Sequence, residues 1–237
     1  MSRFNSSKLQ QSSPIGASFV LFQTLWDSLQ SLVFPDICAG CQRVGHLICS
    51  NCLQQLITPF TPFDADGFDG FTCIGTHSGP LRKIIHALKY EATPRLAQPL
   101  GALLTQQLHQ QKWSFDTIIP VPLHQHREEE RGYNQAKIIA HALVVENTIV
   151  MDALARTRET PTQVGKTAAE RKTNVNDAFA LKPAFLPQQL EGKRVLLIDD
   201  VCTSGATLVA CAAPLRAAGV VTLYAATLSR AHFTPLI

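Results

Sequence analysis

No apolar run in this 237-residue chain approaches the roughly twenty residues that a membrane-crossing helix requires. Charged residues are scarce, at 16%, while apolar residues reach 46%, a balance that excludes wholesale disorder. The charge excess is also small: 21 Lys plus Arg against 18 Asp plus Glu leave +3, too little to argue nucleic-acid binding from overall charge. Internal repeats and low-complexity tracts are missing too. So is a secretory leader, since no basic start, unbroken apolar stretch and small-residue cleavage site follow one another, and a cytoplasmic location is expected. The nearest approach to a membrane segment is 18–34, SFVLFQTLWDSLQSLVF, which Gln23, Asp27 and Gln30 interrupt. Its Leu21, Phe22, Leu25, Trp26, Leu29, Leu32 and Val33 repeat at helical spacing and predict an amphipathic helix. The polar face carries no Lys or Arg, which disfavours a helix lying on a membrane surface.

Of seven cysteines, an odd number, four fall between positions 38 and 52. That clustering fits a metal site in a reducing compartment better than a disulfide framework. Cys38-x2-Cys41-x7-Cys49-x2-Cys52 is two CxxC pairs on a short loop, and four thiolates complete a closed tetrahedral zinc site that holds structure without catalysing. Four packed thiols are the plainer alternative; a redox CxxC would need a strand end in a βαβ unit, which this context lacks. Cys73, Cys202 and Cys211 lie outside the pattern and read as small buried residues.

The chain divides into a Ser- and Gln-rich tail (1–17), the amphipathic helix with the cysteine module (18–57), a Pro-, Asp- and Gly-dense linker (58–70) and a larger domain (71–237). In that domain, strand-like runs at 116–121 (DTIIPV), 194–198 (RVLLI) and 220–228 (VVTLYAATL) alternate with helical patterns at 97–111, 134–145 and 206–218, with Gly219 as a stop. Such alternation predicts an α/β fold with a mainly parallel sheet, whose ligands sit at the carboxyl ends of the strands.

The most informative stretch is VLLIDDVCTSGAT at 195–207: a buried strand, then Asp199 and Asp200, then a turn of small hydroxyl residues, then a helix. The turn can offer backbone N–H groups, the hydroxyls of Thr203, Ser204 and Thr207, and the partial positive charge of the new helix to one anion. The two carboxylates suit vicinal sugar hydroxyls or a metal, so a phosphorylated sugar fits. Solvated Asp residues before a capped helix are the alternative. Gly165-Lys166-Thr167 echoes a nucleotide-binding P-loop, but Thr160 stands where that pattern needs glycine, and no apolar strand leads in.

DDVCTSGAT at 199–207 resembles the signature of type I phosphoribosyltransferases, which use 5-phosphoribosyl 1-diphosphate (PRPP). Over about 30–230 the arrangement is similar to the ComF family, associated with natural competence. The likeness rests on the four cysteines; SGPLR at 78–82 with LKY at 88–90; IPVPLH at 119–124; RGYNQ at 131–135; and TPTQ at 160–163 with Arg171, Asn174, Ala178 and Phe179. Departures fall at Cys202 and Ser204 in the phosphate turn, at Glu128 and Glu129, and in the weakly basic 172–177. The resemblance implies a type I phosphoribosyltransferase fold, a mainly parallel sheet flanked by helices, preceded by a small four-cysteine zinc-ribbon-like module. It implies that Thr203, Ser204, Gly205, Ala206 and Thr207 hold the 5′-phosphate and that Asp199 and Asp200 meet the ribose. Pro120, Val121 and Pro122 would lie near a Mg²⁺-bound diphosphate. Residues 156–173 would form a mobile hood whose cations Arg156, Arg158, Lys166, Arg171 and Lys172 face the leaving group, with Arg171 among the catalytic set. Each hood residue has the plainer reading of a solvated loop. His124 and His126 read as a charged loop before a metal pair; Asn134 reads as a helix cap; Arg82 and Lys89 divide evenly between phosphate contact and helix solubility.

The implied function is a PRPP-using phosphoribosyltransferase linked to DNA uptake, with weak single-stranded DNA binding by the hood cations or by Arg82, Lys83 and Lys89 beside Tyr90. Two alternatives stay open: a metabolic enzyme ribosylating a small base or amine, and a non-catalytic PRPP sensor or nucleic-acid-binding protein.

Overall fold

A computed structural model describes residues 35–60, 67–157 and 178–231. The amphipathic segment 18–34 and the hood positions Arg158, Lys166, Arg171 and Lys172 lie outside the described residues, as does Gly165-Lys166-Thr167. No described helix is long and apolar enough to cross a membrane.

The centre is a five-stranded sheet, parallel throughout, in the order β1-β7-β6-β2-β3. Its strands are β1 (Gly70–Thr76), β2 (Thr117–Pro120), β3 (Ile149–Val150), β6 (Arg194–Cys202) and β7 (Thr222–Arg230); β4 (Leu154–Arg156) and β5 (Phe179–Leu181) form a separate antiparallel pair. The helices are α1 (Ser50–Gln54), α2 (Gly79–Tyr90), α3 (Ala97–Gln111), α4 (Gln125–Arg131), α5 (Gln135–Ala142) and α6 (Ala206–Ala217). Val195, Leu196, Leu197 and Ile198 are all fully buried, as a strand covered on both faces requires. Alternation splits them: Leu196 and Ile198 join Leu88, Leu100, Leu104 and Ile139 of α2, α3 and α5, while Val195 and Leu197 join Leu208 and Leu215 of α6 with Leu154 and Phe179 of the hairpin. Each such side chain contributes about 1.5–3 kcal/mol by leaving water.

The predicted helix over 97–111 is α3, and Gly219, at φ 86°, follows the end of α6. The strand predicted over 220–228 is β7, displaced to Thr222–Arg230, and two further boundaries differ for a visible reason. The helix predicted to run to 145 ends at Ala142, because Leu143 turns extended and the Val144 amide donates to the Thr105 hydroxyl on α3. The strand predicted to stop at Ile198 continues to Cys202, because its pairing with β7 continues through Asp199↔Thr227 and Val201↔Ser229. The two acids therefore lie within a strand, and successive side chains there face opposite sides of the sheet.

Helices α3 and α5 meet at Gly101, where an added Cβ would stand 2.7 Å from both the Cβ and the carbonyl oxygen of Ala142. Backbone cannot yield there as a flexible side chain can. Gly101→Ala should cost about 1–3 kcal/mol through overpacking, outweighing alanine's better helix propensity. A lowered urea midpoint with unchanged slope is the expected result.

Candidate functional site

The four clustered cysteines converge. The Sγ atoms of Cys38, Cys41, Cys49 and Cys52 all lie within 4.8 Å of one another, with Cys41 and Cys49 at 3.5 Å. A knuckle around the Ile37–Val44 bridge carries the first pair, and the start of α1 carries the second. The Cys49 amide donates to Cys38 Sγ at 3.3 Å. Burial opposes a thiolate at Cys38, yet backbone N–H groups of Cys49, Cys41 and Gly40 outweigh it and bring the thiol down to about 6. Gly40 is fitted to the cluster, since a Cβ there would stand 2.7 Å from Cys52 Sγ. Four soft donors at this spacing can hold one tetrahedral metal ion. The module is tied to the sheet: Asp36 makes a two-pronged ion pair with Arg95, Leu56 enters the core, and the Thr76 amide at the end of β1 donates to Thr58 Oγ1.

The second site forms at the carboxyl ends of β1, β7, β6 and β2. From β2 the chain proceeds to the sheet edge at β3, and from β6 it proceeds the opposite way to β7. Opposed connections open a crevice between β2 and β6, where open α/β sheets take their ligands. Pro120 pairs with Ile198, and the Val121 amide donates to the Ile198 carbonyl, so the 120–122 turn borders this crevice directly. Opposite it, β6 ends at Cys202. Thr203 and Ser204 lie exposed, Gly205 takes φ 78° to cap α6, and the Ser204 hydroxyl accepts the Ala206 amide at 3.4 Å. Thr207 falls in the first turn of that helix. The turn and the two acids thus come together with the 120–122 turn.

Motif residues account for much of this placement. Asn134 caps α5 by accepting the Lys137 amide, and its Nδ2 donates to the Val121 carbonyl, fixing the turn after β2. Tyr133 donates its hydroxyl to the Leu88 carbonyl of α2, while Arg131 lies 5.0 Å over the Tyr90 ring and donates to Gln135. Lys89, Tyr90, Arg127, Glu130 and Arg131 line an adjoining cavity of about 380 Å³. His126 faces Glu130 at 3.3 Å on α4, and among the described residues neither His124 nor His126 joins a cluster of three or more metal-binding groups. Arg156 of the expected hood lies 5.5 Å over the Phe179 ring, so it packs against the hairpin.

Two groups, Arg230 and His77, have no place in the sequence reading, and Lys89, which is named there, has a partner that it did not predict. Lys89 Nζ stands 2.6 Å from Asp200 Oδ1. Arg230, the last residue of β7, donates to the Cys202 carbonyl and to the Thr203 carbonyl, so the neighbouring strand holds the 203–207 turn. His77, just past β1, shares a 2.7 Å hydrogen bond with the buried Ser229 hydroxyl. Burial, then Lys89 and Arg82, hold this imidazole below its ordinary value. The signal available for the last two was position alone, one residue at the end of each parallel strand.

Burial, then repulsion from Asp200, pushes the Asp199 carboxyl up from 3.8 to about 7, against opposing contributions from the Asp200 amide, Lys89 and Arg156. A carboxyl raised on folding stabilises the fold fully below its unfolded value, and that contribution is lost as pH rises through about 7. Asp199→Asn should therefore gain stability relative to wild type as pH rises from about 4 to 8. Urea midpoints of both proteins across that range check the slope; parallel curves contradict it.

The phosphoribosyl transferase domain model matches residues 86–232, more than half of the chain. Competence protein F of Haemophilus influenzae (strain ATCC 51907 / DSM 11121 / KW20 / Rd) is 31% identical over 219 residues, covering 82% of this chain and 90% of that protein. DNA utilization protein YhgH of Escherichia coli (strain K12) is 32% identical over 171 residues, covering 69% of each. Among solved structures, glutamine PRPP amidotransferase from B. subtilis, complexed with ADP and GMP, gives a TM-score of 0.36 at 21% identity over 58% of this chain and 26% of that one. With that relative matched over 90% of its length and the domain model over more than half of the chain, the chain belongs to the ComF family of competence proteins, built on a phosphoribosyl transferase domain.

Proposed function

We propose that this chain binds PRPP in the crevice between β2 and β6 and transfers its phosphoribosyl group, in the service of DNA uptake. One observation carries the reading. A doubly covered strand carries Asp199 and Asp200 near its carboxyl end, finishes at Cys202 and passes through a hydroxyl-rich, Gly205-capped turn into α6, at the place where the sheet connections diverge. The turn 203–207 would take the 5′-phosphate on backbone N–H groups and the Ser204 and Thr207 hydroxyls, aided by the helix dipole. Asp199 and Asp200 would meet the ribose hydroxyls. Pro120, Val121 and Pro122 would border the diphosphate, which Mg²⁺ partly neutralises when bound, with Lys166 and Arg171 supplied from the hood. Departure of diphosphate from C1 builds positive charge on the ribose, as in glycoside cleavage, so nearby carboxylates favour the transition state. The names of the relatives, competence protein F and DNA utilization protein, support the link to DNA uptake.

Removing the two hydroxyls tests the phosphate assignment. A Ser204→Ala, Thr207→Ala double variant should bind PRPP about ten- to hundredfold more weakly, the loss of roughly 1.5–3 kcal/mol in charge-assisted hydrogen bonding. Wild-type affinity by calorimetry in that variant would defeat it.

The cysteine cluster is read as a structural zinc site held by Cys38, Cys41, Cys49 and Cys52. Metal analysis of protein prepared without chelators should find about one zinc per chain, and Cys49→Ser with Cys52→Ser should abolish it. Protein without zinc contradicts the assignment.

A single-stranded DNA partner, expected from the resemblance, has fewer cations at its disposal than the sequence offered. Lys89 is engaged by Asp200, while Arg82 and Lys83 remain exposed on α2. Anisotropy of a labelled oligonucleotide should show binding of ~10⁻⁶ M or poorer at physiological salt, falling steeply as salt rises. Salt-insensitive binding contradicts this.

A further inference from the structure

Asp200 has a counterion that neither the phosphate turn nor its own strand supplies. Lys89 lies at the end of α2, on the side of the sheet opposite α6, yet its ammonium stands 2.6 Å from Asp200 Oδ1, with the two side chains only 20% and 15% exposed. A lysine serving helix solubility keeps its charge in water; this one is withdrawn from it. Burying two charges is costly unless they meet closely, and removing one leaves the other unpaired. Among the described residues, no other ion pair reaches Asp200.

We propose that Lys89 is a positioning residue of the ribose subsite: it fixes the Asp200 carboxylate and cancels a negative charge that a polyanionic ligand would otherwise meet. The inference rests on the PRPP reading given above. Two adjacent acids without a cation repel a ligand carrying a phosphate and a diphosphate. With Asp200 paired, the ligand meets a locked carboxylate beside Asp199. Asp199 shares its strand with Asp200 and Cys202, faces Arg156 from β4 and Cys211 from α6, and also feels the charge of Lys89 from α2. Asp200 faces Lys89 from α2 and the half-buried His77 beyond β1, itself beside Arg82. Losing Lys89 leaves Asp200 without its cation, and an arginine at the same place can return that charge.

The experiment is calorimetric titration of Mg²⁺–PRPP into the full chain at about pH 8, as wild type, Lys89→Met and Lys89→Arg. Lys89→Met should weaken PRPP about tenfold or more, because the ligand then meets one more uncompensated charge. Lys89→Arg should stay within about threefold of wild type. Unchanged affinity in Lys89→Met overturns the inference, as does a loss that arginine does not restore, since that marks a merely structural lysine. Carboxyl ¹³C NMR of the ligand-free chain separates this inference from the PRPP reading. If wild type fails to bind PRPP, the reading of the site falls; an Asp200 carboxyl signal that moves in Lys89→Met and returns in Lys89→Arg still upholds the pairing, and one that stays in place overturns it.

Discussion

Strand β6 is covered on both faces for four residues and must then present charge at its end without leaving the sheet. Val195 to Ile198 have no exposure, while Asp199 and Asp200 continue the same ladder to β7. Carboxylates in such a position cannot rely on water, so neighbours have to decide their charge. Lys89 settles Asp200 from one side of the sheet. On the other side Asp199 has Arg156 and the apolar surroundings of α6, and its carboxyl holds its proton toward neutral pH. A single backbone constraint thus sets two neighbouring acids facing different layers, with Lys89 in contact with one and α6 beside the other.

Other parts of the molecule serve to place that strand end opposite the turn after β2. The RGYNQ motif at 131–135 is an architectural clamp in this arrangement. Asn134 grips the Val121 carbonyl, Tyr133 grips the end of α2, and Arg131 covers Tyr90. Because the end of α2 also carries Lys89, the clamp sets the Asp200 ion pair and the 120–122 turn together. Arg230 performs the corresponding task from β7 by holding the Cys202 and Thr203 carbonyls. The cysteine module adds a further brace through Asp36–Arg95 and the buried Leu56.

Much of this was legible in the sequence because it is local. The β-branched and apolar runs of β2, β6 and β7, the Gly219 stop and the four-cysteine spacing all express backbone or ligand geometry over a few residues. The turn 203–207 was legible for the same reason. What escaped depends on residues far apart: Lys89 with Asp200 and Arg230 with Thr203 meet only when parallel strands and their covering helices are assembled. The helix boundary at Ala142 escaped likewise, since it is set by Thr105 on α3. β1 was masked by its glycines, Gly70 and Gly75, which weaken a strand pattern; Trp113 and the Leu56–Thr58 segment occupy the space where their side chains would be.

The central claim is that the strand end and turn of β6 form a sugar-phosphate site, and amide NMR with Mg²⁺ and PRPP addresses it most directly. The account predicts that the largest chemical-shift changes fall on Gly205, Ala206 and Thr207, with smaller ones at Asp200 and Val121. Shifts that leave 199–207 unmoved, or that gather only on the cysteine module, contradict it.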